Sequence, residues 1–166
     1  DGSEGWVAAD DLDYGYRSSR LKKAPPDERP VVLEAVLQLQ PGDAEQLRAR
    51  AQAYNEQRRQ RTPTGRCAGS AFMRTLQYPA GFLIEQAGLK GFRLGGAEVS
   101  AVHANFLMNE GHATAAEVCA LMAHVQAVVW SQFGQRLEPE IELVGDWGAE
   151  TGLATGRLMR RSQRER

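Results

Sequence analysis

At 166 residues, with 42% apolar and 25% charged side chains, the chain has the composition of an ordinary globular protein, large enough for one sizeable core or for one domain and part of another. Lys and Arg number 20 against 21 Asp and Glu, so a net charge of -1 gives no overall pull towards nucleic acid or an anionic membrane, and any anionic ligand needs a local site. No run approaches 18 apolar residues, and the two cysteines, Cys67 and Cys119, lie far apart without ligand spacing, which predicts a reduced, cytoplasmic protein with no membrane span and no structural metal.

The first residues, DGSEGWVAADDLD, are acidic with no apolar stretch, so no signal peptide is expected. They begin at Asp1 rather than Met, which points to the C-terminal piece of a longer protein. Residues 1 to 23 read as loop with a short strand-like stretch from Asp13 to Leu21 that carries the string YGYR. The polar, proline-bearing segment KKAPPDERP, Lys22 to Pro30, reads as a turn. In VVLEAVLQLQ, Leu33, Ala35, Leu37 and Leu39 alternate with Glu34, Val36 and Gln38, the pattern of a strand with one apolar face.

Pro41 to Asp43 stops that strand and opens a helix: Asp43 is placed to cap it, with Gln46 three residues on, and Leu47, Ala51 and Tyr54 share a face down to about Arg59. RRQRTPTGRCAGS, with Pro63, Gly65 and Gly69, reads as an interdomain crossing, with the boundary near residue 62. GFLIEQAGLKG reads as a short helix ended by Gly88 and Gly91, and FRLGGAEVS and HANFLMN as strand-like segments. Thr114 and Glu117 form a capping box, and Val118, Leu121, Met122, Val125, Val128 and Val129 follow at helical spacing to about Gln132, so this helix needs a sheet beneath its apolar stripe. LEPE introduces a last strand, Ile141 to Gly145, and the tail from Gly148 ends in RLMRRSQRER, which reads as a solvated extension.

Within AGSAF, Ser70 stands between Gly69 and Ala71, small neighbours that suit either a turn serine or a hydroxyl that a ligand must approach closely. A serine-hydrolase elbow is excluded, because Ala68 and Phe72 occupy the glycine positions of G-x-S-x-G. Together and in this order, YGYRSSRLK, AGSAF, LIEQAGLKGFRLGGAEVSAVHANFLMN and LEPEIELVG resemble the UDP-N-acetylenolpyruvoylglucosamine reductase (MurB) family, over nearly the whole chain from about Leu12 to Gly145. The direct passage from strand to helix in LQLQPGDAEQLRARA, without a tyrosine-bearing insertion, looks like the second subclass of that family.

The resemblance implies an α+β fold with residues 1–62 as the C-terminal part of the FAD-binding domain sheet, 63–147 as the substrate-binding domain and 148–166 as a basic tail. It implies a flavoenzyme in which NADPH reduces FAD and the enolpyruvyl group of UDP-N-acetylglucosamine enolpyruvate is reduced to give UDP-N-acetylmuramate for peptidoglycan. Ser70 falls on the proton-donating serine of GSxF, and Arg17 and Glu140 fall on the two residues associated with the enolate-like intermediate; Tyr16, Arg74, His103 and Asn105 fall on substrate-contacting positions. A monomer is expected. The glycine-rich FAD-diphosphate segment of the family does not precede Asp1 here, so this stretch by itself is expected to hold flavin weakly and to be inactive.

The residue types fit that chemistry. Hydride addition to the terminal carbon places negative charge on the neighbouring carbon and its carboxylate, and a guanidinium fork matches a carboxylate better than an ammonium does. A hydroxyl held against a developing carbanion donates to a far stronger base than water. A carboxylate beside that anion would oppose it, so Glu140 either carries a proton or acts through a water or the serine. After Phe72 stand Met73, Arg74 and Thr75 in place of the usual Lys-Asn-Pro, and a cation at Arg74 suits the diphosphate of a UDP-sugar. The competing reading is a non-catalytic UDP-sugar-binding or scaffold module that kept the fold without the flavin domain.

Overall fold

The computed structural model describes residues 2–25, 28–144 and 147. The chain divides into two units, Asp1–Asp43 and Ala44–Arg166. The division precedes the long polar helix, whereas the boundary read from the sequence follows it.

In the first unit a 3-10 turn, Ala9–Leu12, packs against a single helical turn, α1 (Arg20–Lys23). Ser19 caps α1 by accepting the Lys22 N–H at 3.2 Å. An ion pair from Lys23 to Asp13 closes the segment between the two turns and holds the Asp13 carboxyl below the usual carboxylate range. The stretch 13–21 is therefore not a strand: only Gly15 and Ser18 pair across a tight turn. Residues 31–40 form no strand either, and Val31, Leu33, Val36, Leu37 and Leu39 stand exposed. Their alternation marks a face made to be covered, but a strand needs a ladder partner, and the described residues of this unit offer none.

The second unit begins with α2 (Ala44–Arg61), where the sequence places it, but its expected face does not pack: Leu47 and Tyr54 are exposed. Next come β1 (Cys67–Ser70), α3 (Ala80–Gln86), β2 (Arg93–Leu94), β3 (Ala97–Val99), β4 (Phe106–Asn109) and α4 (Ala115–Phe133). The four strands form one antiparallel sheet in the order β1-β4-β3-β2, and α4 lies against β2, β3 and α3. The interdomain crossing read at AGS is thus the edge strand of this sheet. The apolar stripe of α4 does rest on a sheet: Leu121, Met122, Val125 and Val129 share a core with Phe72, Ile84, Val99 and Leu137. His124 faces the side, its ring stacked on Phe92 at 4.4 Å.

The start of α4 is fixed by the residues expected to fix it, and its end by a glycine the sequence reading passed over. Thr114 and Glu117 form the capping box, and Gly134, at φ 62, ends the helix by donating to the Trp130 carbonyl. The N–H of Thr114, with help from that of Gly96, holds the Glu117 carboxyl below the usual range and ties the β2–β3 hairpin to the helix start. There the hairpin runs close against the loop before α4: a Cβ added at Gly96 would lie 2.5 Å from the Ala113 nitrogen and 2.8 Å from the His112 carbonyl carbon. Both are backbone atoms that cannot swing aside. Gly96→Ala should therefore lower stability by about 2–3 kcal/mol, read as a fall in the denaturation midpoint; an unchanged midpoint would contradict this packing.

Residues 138–143 correct the last expected strand. Ile141 and Leu143 are half-buried and Glu142 and Val144 exposed, the alternation of a strand, but the ladder bonds form earlier, at 138–140. Gly145 and the Arg-rich tail lie outside the described residues. Cys67 is exposed and Cys119 buried, with no disulfide between them, and burial pushes the Cys119 thiol up. Among the described residues, no helix is long and apolar enough to cross a membrane.

Candidate active site

Ser70 closes β1 at an irregularity. Cys67 pairs with Met108 and Ser70 with Phe106, so three residues advance on β1 against two on β4, the count of a bulge. Gly69 supplies it with φ 85, which a side chain would strain, and nothing lies within 4 Å of where its Cβ would stand. Ser70 itself is half-buried, and its hydroxyl makes no hydrogen bond to another described residue. Ala71 is small for a different reason: it is wholly buried in the core and lines no open space. Of the two small neighbours of Ser70, only Gly69 leaves room for a ligand.

Beyond Ser70 the chain runs between two partners. On one side the Glu140 N–H donates to the Ala71 carbonyl at 2.9 Å and the Met73 N–H to the Glu138 carbonyl at 2.8 Å, with Phe72 paired to Pro139. Ser70 and Glu140 are thereby neighbours through one backbone hydrogen bond, and Glu140 is half-buried. On the other side the Ala71 N–H donates to the Asn105 carbonyl at 2.8 Å. Asn105 is buried, its side-chain oxygen accepting the Phe72 N–H at 3.0 Å and its amide donating to the Phe72 carbonyl at 2.9 Å.

His103 precedes it in a turn that Ser100 builds by accepting the N–H groups of Val102 and His103. Its ring meets Phe106 edge-on at 5.1 Å, and its Nδ1 accepts the Asn105 N–H. Arg74 is exposed, just ahead of a turn in which the Thr75 hydroxyl accepts the Tyr78 N–H at 2.9 Å. Ser70, His103, Asn105 and Glu140 thus come from two loops and one strand end linked by hydrogen bonds, with Arg74 close by in sequence. Sequence reasoning missed Gln126, buried on α4, whose amide donates to the Leu137 carbonyl at 2.7 Å and anchors the segment leading to Glu140. Its place within the apolar stripe, between Met122 and Val129, was the available signal.

Tyr16 and Arg17 belong to the first unit. They form the exposed tip of the turn closed by Gly15 and Ser18, which exchange N–H to carbonyl bonds of 2.9 and 3.1 Å. Arg17 sits there at φ 53, a left-handed conformation that costs a non-glycine residue about 1 kcal/mol. Asp13 nearby adopts a similar conformation, at φ 47. A hollow of about 330 Å³ beside the last turn of α2, lined by Asn55, Arg58, Arg59, Thr62, Pro63 and Thr64, contains none of these residues.

The chain was compared with known proteins. Residues 60–144 match the family model of the UDP-N-acetylenolpyruvoylglucosamine reductase C-terminal domain. Curated proteins named UDP-N-acetylenolpyruvoylglucosamine reductase are similar to it: that of Halalkalibacterium halodurans is 38% identical over 147 residues, covering 88% of this chain and 48% of the relative, and that of Pediococcus pentosaceus is 43% identical over 137 residues, covering 82% and 44%. The crystal structure of UDP-N-acetylenolpyruvylglucosamine reductase (MurB) from Thermus caldophilus superposes with a TM-score of 0.65 at 32% identity, over 80% of this chain and 46% of that one. The chain spans about half the length of the relatives it matches.

Proposed function

The chain belongs to the UDP-N-acetylenolpyruvoylglucosamine reductase (MurB) family, and from that premise we propose that it is the substrate-side part of an NADPH- and FAD-dependent reductase that converts UDP-N-acetylglucosamine enolpyruvate to UDP-N-acetylmuramate for peptidoglycan. The observation that carries this reading is Ser70: a half-buried hydroxyl, without a partner among the described residues, presented by a bulge beside the Glu140 segment.

A flavin suits these surroundings. The open side of Gly69 and the available hydroxyl of Ser70 leave an edge of β1 against which a flat ring system can lie, and these are the residues that would meet it. When bound, the flavin supplies the hydride that it takes from NADPH. The protein's residues do the rest. The Arg17 guanidinium pairs with the substrate carboxylate and stabilises the charge that grows there as the terminal carbon gains hydride. The Ser70 hydroxyl gives its proton to the adjacent carbon, so the double bond takes up two hydrogens in all and the enol ether becomes a lactyl ether. The carboxyl of Glu140 is assigned the return of a proton to the Ser70 oxygen, directly or through water, a role supported by the backbone bond from its N–H to the Ala71 carbonyl. His103, Tyr16 and Arg74 are assigned to the substrate side, Arg74 as a cation for the diphosphate, whereas Asn105, expected there too, is buried with its side chain bonded to Phe72 and lies behind the site.

The full-length reductase of which this chain is a part should be yellow when flavin-loaded, bleach on adding NADPH, and regain its colour on adding UDP-N-acetylglucosamine enolpyruvate, with the product heavier by two hydrogens. A colourless protein that still binds the UDP-sugar would favour a non-catalytic binding module instead.

A further inference from the structure

We infer that Asn105 is a positioning residue that sets Ser70 in register with Glu140, acting through the main chain of Ala71 and Phe72. This rests on the reductase reading of the site. Both polar atoms of the buried side chain are committed to one residue, Phe72: the oxygen accepts its N–H at 3.0 Å and the amide donates to its carbonyl at 2.9 Å. The Asn105 carbonyl takes the preceding N–H, that of Ala71, at 2.8 Å. A single residue thus does the work of a strand partner along one edge of segment 71–73, while 138–140 pairs along the other.

The consequence for Ser70 follows from the geometry of β1. Its last regular pairing is Ser70 with Phe106, the residue after Asn105, and the bulge at Gly69 leaves the strand before it irregular. What fixes the hydroxyl is therefore the chain that follows it, and that chain is held where Asn105 grips Phe72. Remove the grip and the buried N–H and carbonyl of Phe72 lose their partners in a place closed to water, since Phe72 itself is almost fully buried. Segment 71–73 then relaxes, and the Ala71-to-Glu140 bond goes with it. No other side chain replaces the grip: aspartate keeps the acceptor and loses the donor, leucine loses both, and glutamine is longer by a methylene.

The test compares amide hydrogen exchange in the parent protein, Asn105→Ala and Asn105→Asp. In Asn105→Ala the Phe72 and Glu140 amides should exchange at least about tenfold faster, and in Asn105→Asp, which keeps the acceptor for the Phe72 N–H, the Glu140 amide should do so, while the Leu121 and Val125 amides of α4 keep their protection. In the flavin-loaded variants, colour recovery with the enolpyruvyl substrate should slow about tenfold with little change in KM, whereas bleaching by NADPH stays within twofold. Unchanged exchange at Phe72 and Glu140, or a loss shared equally with α4, overturns the inference, because the side chain then serves general stability alone. If Asn105→Ala does not fold, Asn105→Asp decides by the same comparison. A full-length parent protein that neither bleaches nor recovers colour would instead refute the reductase reading, and the exchange data would still settle whether Asn105 sets the register.

Discussion

Ser70→Ala should slow the return of flavin colour on adding the enolpyruvyl substrate by about 10²- to 10⁴-fold, the usual worth of a positioned general acid, and leave bleaching by NADPH within about twofold. The two half-reactions separate because only the second needs a proton at carbon. The structure makes the substitution unusually clean: the hydroxyl has no bond to another described residue, so its loss leaves no protein group unpaired. Stopped-flow absorbance on the flavin-loaded protein measures both phases. Equal loss in both would mean that Ser70 shapes the flavin site rather than delivers a proton, and no loss in either would remove it from the chemistry.

Arg17→Ala should cost about 10²- to 10³-fold in kcat/KM for the enolpyruvyl substrate, the cost of removing a donor aimed at developing charge, with both a higher KM and a lower kcat. Arg17→Lys should recover only part of this, because an ammonium keeps the charge and loses the fork. A third variant, Arg17→Gly, separates strain from chemistry: at φ 53 glycine relieves the backbone, so it should melt no lower than the parent while being as inactive as alanine. Normal turnover in Arg17→Ala would take the arginine out of the site.

What the sequence made legible was mostly local. The capping box of Thr114 and Glu117 and the apolar stripe that follows it each declare themselves within a few residues, and the helix stands where they place it. Pairing was harder. The alternation in 31–40 and in 141–144 was read correctly as a pattern, yet neither became a strand, because alternation describes one face and says nothing of a neighbour's N–H and carbonyl groups. The strand that does form at Cys67–Ser70 is polar and holds a glycine, so it looked like a crossing. At the site, serine, glutamate and asparagine were identifiable through the family resemblance. That Ala71 is core and that Asn105 holds Phe72 were not, since both depend on residues more than thirty positions apart meeting in the fold.

The bond between Ala71 and Glu140 spans most of the second unit in sequence, and Leu137, which precedes Glu140, is held by Gln126 from the middle of the long helix. Closing so long a loop costs conformational entropy that docking of the helix reduces, so this pairing is expected to form after the helix has docked. A polypeptide lacking the residues after Gly134 would keep the sequence of every strand and helix of the sheet layer, yet lose Leu137 from the core and the segment that pairs with Ala71 and Met73. On the reductase reading, the setting of the alcohol is completed only when that last segment has docked.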